Sequence, residues 1–246
     1  MKVLLLGGTA EARELADRLN CAGVPFVSSL AGRVSRPRLP VGEVRIGGFG
    51  GPQGLRAYIV ANDVTDVVDA THPFATTMAE HACQAAASAG VRLLRFARPG
   101  WSGRGDATGW HWASTLEEVR EIASGLGRRP FVTSGRQTLG SFASWSERTV
   151  LIRVVEPVDE LLPPSWMIIH DRGPYVVAGE IELMSEHAID VLITKDSGGD
   201  YTSAKLDAAA ALGVPVVVLS RPVRPSGLTE VSSVGACVES LLRPPP

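Results

Sequence analysis

The first ten residues constrain the fold more than any other stretch of the chain. Val3-Leu4-Leu5-Leu6 has no polar face and stops at Gly7-Gly8-Thr9, after which charged and apolar residues fall at helical spacing. A strand that is apolar on both faces must be covered on both, as in a parallel sheet flanked by helices. The alternation recurs: residues 24–30, 43–46, 66–70 and 91–96 read as further strands, and residues 10–19, 53–62 and 76–89 as helices. Strand, helix and strand at this spacing predict right-handed βαβ crossovers and an α/β fold with a parallel sheet.

Between residues 97 and 112 the texture changes to Gly, Pro, Trp and Arg, as in Arg98-Pro99-Gly100-Trp101. A second series follows. Residues 116–126, 139–145, 179–187 and 203–212 read as helices, and 130–133, 150–155, 167–170, 191–194 and 216–219 as strands. The expected organisation is an N-terminal half over 1–97, a connecting segment and helix over 98–129, and a C-terminal half over 130–246, with a ligand cleft between the halves. The halves share a style but no residue-level repeat. Trp101, Trp110 and Trp112 read as core or linker packing.

Composition removes several function classes. The formal net charge is -2, so there is no overall basic field for nucleic acid. Lys2, Lys195 and Lys205 are the only lysines; the rest of the positive charge is arginine, which suits bidentate grip on carboxylates and phosphates. Cys21, Cys83 and Cys237 have no CxxC spacing, so neither a disulfide framework nor a zinc site is expected, and a reducing cytoplasm fits. The leading apolar run is too short for a signal peptide, and no segment is long enough to span a bilayer. Nucleophile elbow, Walker lysine and metal-spaced His/Cys cluster are all missing, so no metal is expected.

In open parallel sheets, ligands bind beyond the carboxyl ends of the strands. Gly7-Gly8-Thr9-Ala10 opens a helix there and offers backbone N–H groups to an anion, although it is not G-x-G-x-x-G. Ser28-Ser29-Leu30-Ala31-Gly32-Arg33 ends the second strand. An acidic residue at that place selects NAD and an arginine accommodates the phosphate of NADP; here Arg33, Arg36 and Arg38 follow, with no acid between 28 and 42. Asp69-Ala70-Thr71-His72-Pro73-Phe74 ends the fourth strand, where Thr71 or His72 would cap the next helix. His72 could bind a carboxylate or supply a proton near neutral pH. In the second series, Thr133-Ser134-Gly135-Arg136 and Thr194-Lys195-Asp196-Ser197-Gly198-Gly199 both join hydroxyls, glycine and a cation before a helix, the donor set of a pyrophosphate or carboxylate site. Each turn alone is also what a tight β-to-α connection needs.

Taken together with Gly47-Gly48-Phe49-Gly50 and Arg98-Pro99-Gly100-Trp101, these turns stand in an order that resembles the precorrin-6A reductase family of cobalamin (corrin) biosynthesis, over nearly the whole chain. The resemblance implies two Rossmann-like halves, NADPH as reductant, and reduction of one macrocycle double bond of precorrin-6A to give precorrin-6B. The partners it implies are this tetrapyrrole and, transiently, neighbouring pathway enzymes, with neither nucleic acid nor membrane. Both ligands are polyanions, which matches local arginines and helix N-termini on a slightly acidic protein. Because hydride delivery puts electron density on the macrocycle nitrogens, a nearby cation or acid would help; His72 and Lys195 are the candidates.

The division of motifs between the ligands stays open at this level. In one reading, Gly7-Gly8-Thr9 takes the pyrophosphate and Arg33 the ribose phosphate. In the other, which we favour, Thr133, Ser134, Gly135, Arg136, Thr194, Lys195, Asp196, Ser197 and Gly198 hold the cofactor. Gly7, Gly8, Thr9, Ala10, Gly48, Phe49, His72, Pro73 and Phe74 then face the precorrin. Rival functions are reduction of cobalt-precorrin-6A with NADH, a nucleotide-binding regulatory protein without turnover, and a nucleotide-sugar enzyme of double Rossmann type.

Overall fold

The computed structural model describes residues 1–32, 37–223 and 228–243. The chain forms two compact units, Met1–Arg98 joined by the segment from Pro222 onward, and Pro99–Arg221.

In the first unit the strands are β1 (Val3–Leu6), β2 (Phe26–Leu30), β3 (Glu43–Ile46), β4 (Asp66–Asp69), β5 (Arg92–Phe96) and β12 (Thr229–Val231). Helices α1 (Ala10–Cys21), α2 (Pro52–Ala61), α3 (Thr76–Ala89) and α7 (Val234–Leu242) flank them. The sheet order is β12-β5-β4-β1-β2-β3, with every pairing parallel. Read from β3, the first five places are 3-2-1-4-5, the order of a dinucleotide-binding sheet, and β12 fills the sixth. The apolar β1 now has its explanation. Val3 and Leu5 pack with α1 and α7 residues such as Leu15, Leu19 and Leu241 on one face. Leu4 and Leu6 pack with Leu55, Ile59, Ala82 and Ala85 of α2 and α3 on the other.

The second unit contains β6 (His111–Ala113), α4 (Leu116–Leu126), β7 (Pro130–Val132), β8 (Val150–Val154), β9 (Trp166–His170), α5 (Val177–Glu186), β10 (Val191–Lys195), α6 (Ala204–Leu212) and β11 (Val216–Leu219). Its sheet, β6-β11-β10-β7-β8-β9, is again wholly parallel. From β9 inward it repeats the same 3-2-1-4-5 order, and its sixth place is filled by β6, which precedes the other five in the chain. Phe131, Leu151, Leu192 and Val218 pack with Met184 of α5 and Leu206 of α6 on one face, and α4 packs beside β10 and β11. Instead of the expected helix over 139–145, a ten-residue 3-10 helix spans Arg136–Trp145 and buries Leu139, Phe142 and Trp145.

The expected division differs from this in two places. The segment 98–129 is no mere connector: it supplies β6 and α4 to the second unit. The chain after residue 221 returns to the first unit as β12 and α7, because β12 completes the edge beside β5. Arg92 holds that return. It pairs with Asp66 at 2.5 Å and donates to Ser240 O (2.8 Å) and Leu241 O (3.1 Å), satisfying the last carbonyls of α7.

Candidate functional site

Each sheet has a point where the strand order reverses, between β1 and β4 in one unit and between β7 and β10 in the other. Ligand crevices form beyond the carboxyl ends of the strands at such points. Four of the turns singled out in the sequence lie there.

In the first unit, Gly7 N–H continues the ladder to Ser29 O at 3.0 Å. Gly8 has a φ of +114°, and among the described residues nothing lies within 4 Å of where its Cβ would stand. Thr9 is the N-cap of α1, which starts at Ala10. Its hydroxyl accepts from Ala12 N–H (3.1 Å) and donates to Ala70 O (3.0 Å), tying the turn after β1 to the end of β4. Glu11 in the first turn of α1 pairs with Arg98 at 2.5 Å.

The turn after β4 rests on a buried ion pair. Arg95 Nη1 lies 2.6 Å from Asp69 Oδ2, with both side chains almost wholly buried. Asp69 Oδ1 also accepts from the Thr71 backbone N–H (3.0 Å) and from its hydroxyl (2.6 Å). Thr71 is therefore committed to Asp69 and does not cap α3, which begins at Thr76 behind Ala75 with no side-chain cap. His72 does not cap it either. Its Nδ1 accepts from Phe74 N–H at 3.3 Å, so a neutral ring carries its proton on Nε2. The rings of His72 and Phe74 tilt together at 5.8 Å, and Pro73 between them is buried.

Beyond β3, Arg45 organises the glycine loop that the sequence flagged. Its guanidinium donates to Gly47 O (2.5 Å) and Gly48 O (2.7 Å) and stacks 3.9 Å over the Phe49 ring. Gly54 in α2 is required, because any Cβ there would collide with Phe49 O. Arg33 and Arg36 lie outside the described residues.

In the second unit the turns after β7 and β10 are joined. Thr133 donates to Ile193 O from both its backbone N–H and its hydroxyl, each at 2.9 Å. The Thr138 hydroxyl donates to Gly135 O (2.8 Å), so the buried Ser134 hydroxyl is the donor in its 2.7 Å bond to Thr138 Oγ1. Gly135 has φ +87° and, among the described residues, open space before it. Arg136 begins the 3-10 helix and donates to Pro157 O at 3.1 Å. Thr194 is buried, with its hydroxyl on Lys195 O (3.3 Å). Lys195 ends β10 half-buried, and burial pulls its ammonium below the ordinary lysine value.

Asp196 faces inward. Its Oδ1 accepts from Trp101 N–H (2.9 Å), its Oδ2 lies 3.2 Å from Arg221 Nε, and Trp101 Nε1 donates to Gly199 O (2.8 Å). Arg221 donates further to Asp196 O, Ser197 O and Pro99 O. Side chains at Gly100 or Gly198 would strike Asp196 or Arg221, so the Pro-Gly-Trp run and the 196–199 turn are two sides of one knot. Lys205 lies beneath it, fully buried, donating to Thr202 O (2.8 Å) over the Trp101 ring. Desolvation, aided by Arg153, brings its pKa down to about 7.

The sequence reading missed Arg95, Arg45 and Arg221, whereas Trp101, read as packing, is buried as expected. One signal was present: Asp66 and Asp69 of β4 stand in register with Arg92 and Arg95 of β5. A matched pattern of charges three apart in neighbouring strands identifies two ion pairs once parallel pairing is assumed.

The residues present suit a dinucleotide. Glycine with positive φ and open space at a reversal point would let a pyrophosphate approach backbone N–H groups, and Lys195 would supply counter-charge. Gly8 offers a similar opening in the first unit.

The family model for precorrin-6x reductase CbiJ/CobK matches residues 2–241. A precorrin-6A reductase of Rhodococcus erythropolis is 48% identical, covering 96% of this chain and 96% of its own. That of Mycobacterium tuberculosis (strain ATCC 25618 / H37Rv) is 47% identical over 95% of this chain and 94% of its own. The solved structure of CobK precorrin-6A reductase superposes with a TM-score of 0.89 at 35% identity, covering 98% of this chain and 96% of that one.

Proposed function

The chain belongs to the precorrin-6x reductase CbiJ/CobK family, and on that premise we propose that it reduces one double bond of the precorrin-6A macrocycle with NADPH, giving precorrin-6B. The match over residues 2–241 carries the reaction. We place the cofactor on the second unit, at 133–136 and 194–198. The observation behind this is the open Gly135 turn tied through Thr133 to β10, whose last residue is the half-buried Lys195. Precorrin carboxylates then fall to the first unit: the Gly7, Gly8, Thr9 and Ala10 turn, Gly48 and Phe49, and His72, Pro73 and Phe74.

When bound, the dihydronicotinamide supplies a hydride to a macrocycle carbon, and one proton completes the reduction. Lys195 holds positive charge beside the cofactor. Its lowered pKa makes it a better acid near neutral pH than a solvated lysine. His72, with Nδ1 engaged by Phe74 N–H, presents its Nε2 proton to a substrate carboxylate. Asp196 acts through the knot it forms with Trp101 and Arg221, as a positioning residue for the turn. The three free thiols suit a cytoplasmic enzyme.

Fluorescence titration with NADPH tests the placement. Lys195→Ala should weaken NADPH binding by roughly tenfold or more, and Arg33→Ala should leave it within twofold. If only Arg33→Ala weakens it, the cofactor belongs to the first unit. Rates with NADPH and NADH on metal-free and cobalt-containing substrate separate this reaction from the cobalt-precorrin version.

A further inference from the structure

We propose that Asp69 and Arg95 are positioning residues for the tetrapyrrole: their buried ion pair sets the backbone of the turn that carries His72 and Pro73 to the ligand end of the first sheet. The inference rests on the reading that this turn serves the precorrin. It comes from two ion pairs of the same chemistry at opposite ends of the same strands, since Asp66 and Asp69 of β4 stand in register with Arg92 and Arg95 of β5.

The Asp66–Arg92 pair lies at the amino end, the end that ligands of such sheets do not use. Its arginine spends Nη1 and Nη2 on Ser240 O and Leu241 O, so that pair serves the docking of α7. The Asp69–Arg95 pair lies at the carboxyl end, where β4 meets β1 at the reversal point. Its bonds converge on Thr71, whose three polar groups it engages together. The Thr71 N–H and hydroxyl donate to Asp69 Oδ1 (3.0 and 2.6 Å), the hydroxyl accepts from Arg95 Nη1 (3.2 Å), and the carbonyl accepts from Arg95 Nη2 (3.3 Å). The residue before His72 is thereby held at every polar atom. Beyond it, His72 O accepts from Ala75 N–H at 2.8 Å and closes the turn ahead of α3. Arg95 also borders an open cleft with Pro73, Thr76 and Glu80, so the network backs the surface that this turn presents.

Stability does not account for the pair. Desolvation of two charges cancels most of their attraction, and well-packed apolar side chains would join β4 to β5 about as well. Apolar side chains cannot hold an N–H, a hydroxyl and a carbonyl of one loop residue at once. A misplacement of about 1 Å in a group that aligns a substrate can cost roughly 100-fold in rate.

The test compares two double variants of the full chain, Asp69→Asn with Arg95→Met and Asp66→Asn with Arg92→Met. Each is checked by chemical denaturation and assayed with NADPH and precorrin-6A well below its unfolding transition. The first should lower kcat/KM for precorrin-6A by roughly 10- to 100-fold while the NADPH dissociation constant stays within about twofold. The second should keep kcat/KM within about twofold of wild type. Thr71→Val, which leaves the ion pair in place, should show a loss of the same kind, and Thr71→Ser should regain most of it. Wild-type kcat/KM in the first double variant or in Thr71→Val overturns the proposal. So does an equal loss in the Asp66 and Arg92 variant at matched stability, which would make both pairs purely architectural. If the first double variant and Thr71→Val weaken NADPH binding and leave the precorrin KM unchanged, the turn belongs to the cofactor, and the placement of the two ligands fails together with this assignment.

Discussion

Asp196→Asn separates a residue that touches the cofactor from one that shapes its turn. The asparagine can keep Trp101 N–H on its Oδ1. Its Nδ2 then faces Arg221 Nε, donor against donor, where a carboxylate oxygen sits at 3.2 Å. Both side chains are mostly buried, at 7% and 15% exposure for Asp196 and Arg221. Removing one member of a buried pair costs about 3–5 kcal/mol. Arg221 keeps its three carbonyl acceptors, at Asp196, Ser197 and Pro99, which offset part of that loss. The net expectation is about 2–4 kcal/mol. For a chain of this size that lowers the melting temperature by roughly 5–15 °C. Scanning calorimetry reads the melting temperature, and NADPH titration below the transition reads the turn. Affinity should fall together with stability, and Arg221→Gln added to Asp196→Asn should cost far less than it does alone. A variant that melts like the wild type yet binds NADPH poorly would refute this reasoning and put Asp196 in contact with the cofactor.

Two further perturbations probe the buried charges. Lys205 has its folded-state pKa depressed to about 7 against an ordinary lysine value of 10.5, so between these pH values the unfolded state holds the extra proton. Wild-type stability should therefore gain up to about 1.4 kcal/mol per pH unit relative to Lys205→Met as pH rises from about 7 toward 10. Below pH 7 the difference should level off. Urea unfolding of the two proteins across this range tests the sign, and parallel curves would show that Lys205 stays charged in the folded state. In the first unit, Arg95→Met strands the buried Asp69 charge and should cost about 3–5 kcal/mol. Adding Asp69→Asn should recover part of that in chemical denaturation, and strict additivity would show the two groups are not coupled.

The parts of the fold legible in the sequence were those written locally. Val3-Leu4-Leu5-Leu6 before a glycine turn specifies a two-faced strand without reference to the rest of the chain, and the turns at both reversal points follow from the same local grammar. The sixth strands were not legible. His111–Ala113 and Thr229–Val231 are three residues each and carry no periodicity; only hydrogen bonding beside β11 and β5 makes them strands. Side-chain commitments were hidden for a related reason. The bonds that hold Asp196 come from Trp101 and Arg221, both distant in sequence, and its own turn carries no sign of them. Thr71 reads as a helix cap until Asp69 claims its hydroxyl.

The most direct test of the account mixes the purified protein with precorrin-6A and NADPH and follows NADPH absorbance alongside the mass of the tetrapyrrole. The account predicts substrate-dependent loss of NADPH, one equivalent per tetrapyrrole, with the product heavier by two hydrogens, and a much slower rate for Lys195→Ala. A folded protein that binds NADPH but leaves both the absorbance and the tetrapyrrole mass unchanged would contradict it, and would point to a nucleotide-binding protein without turnover.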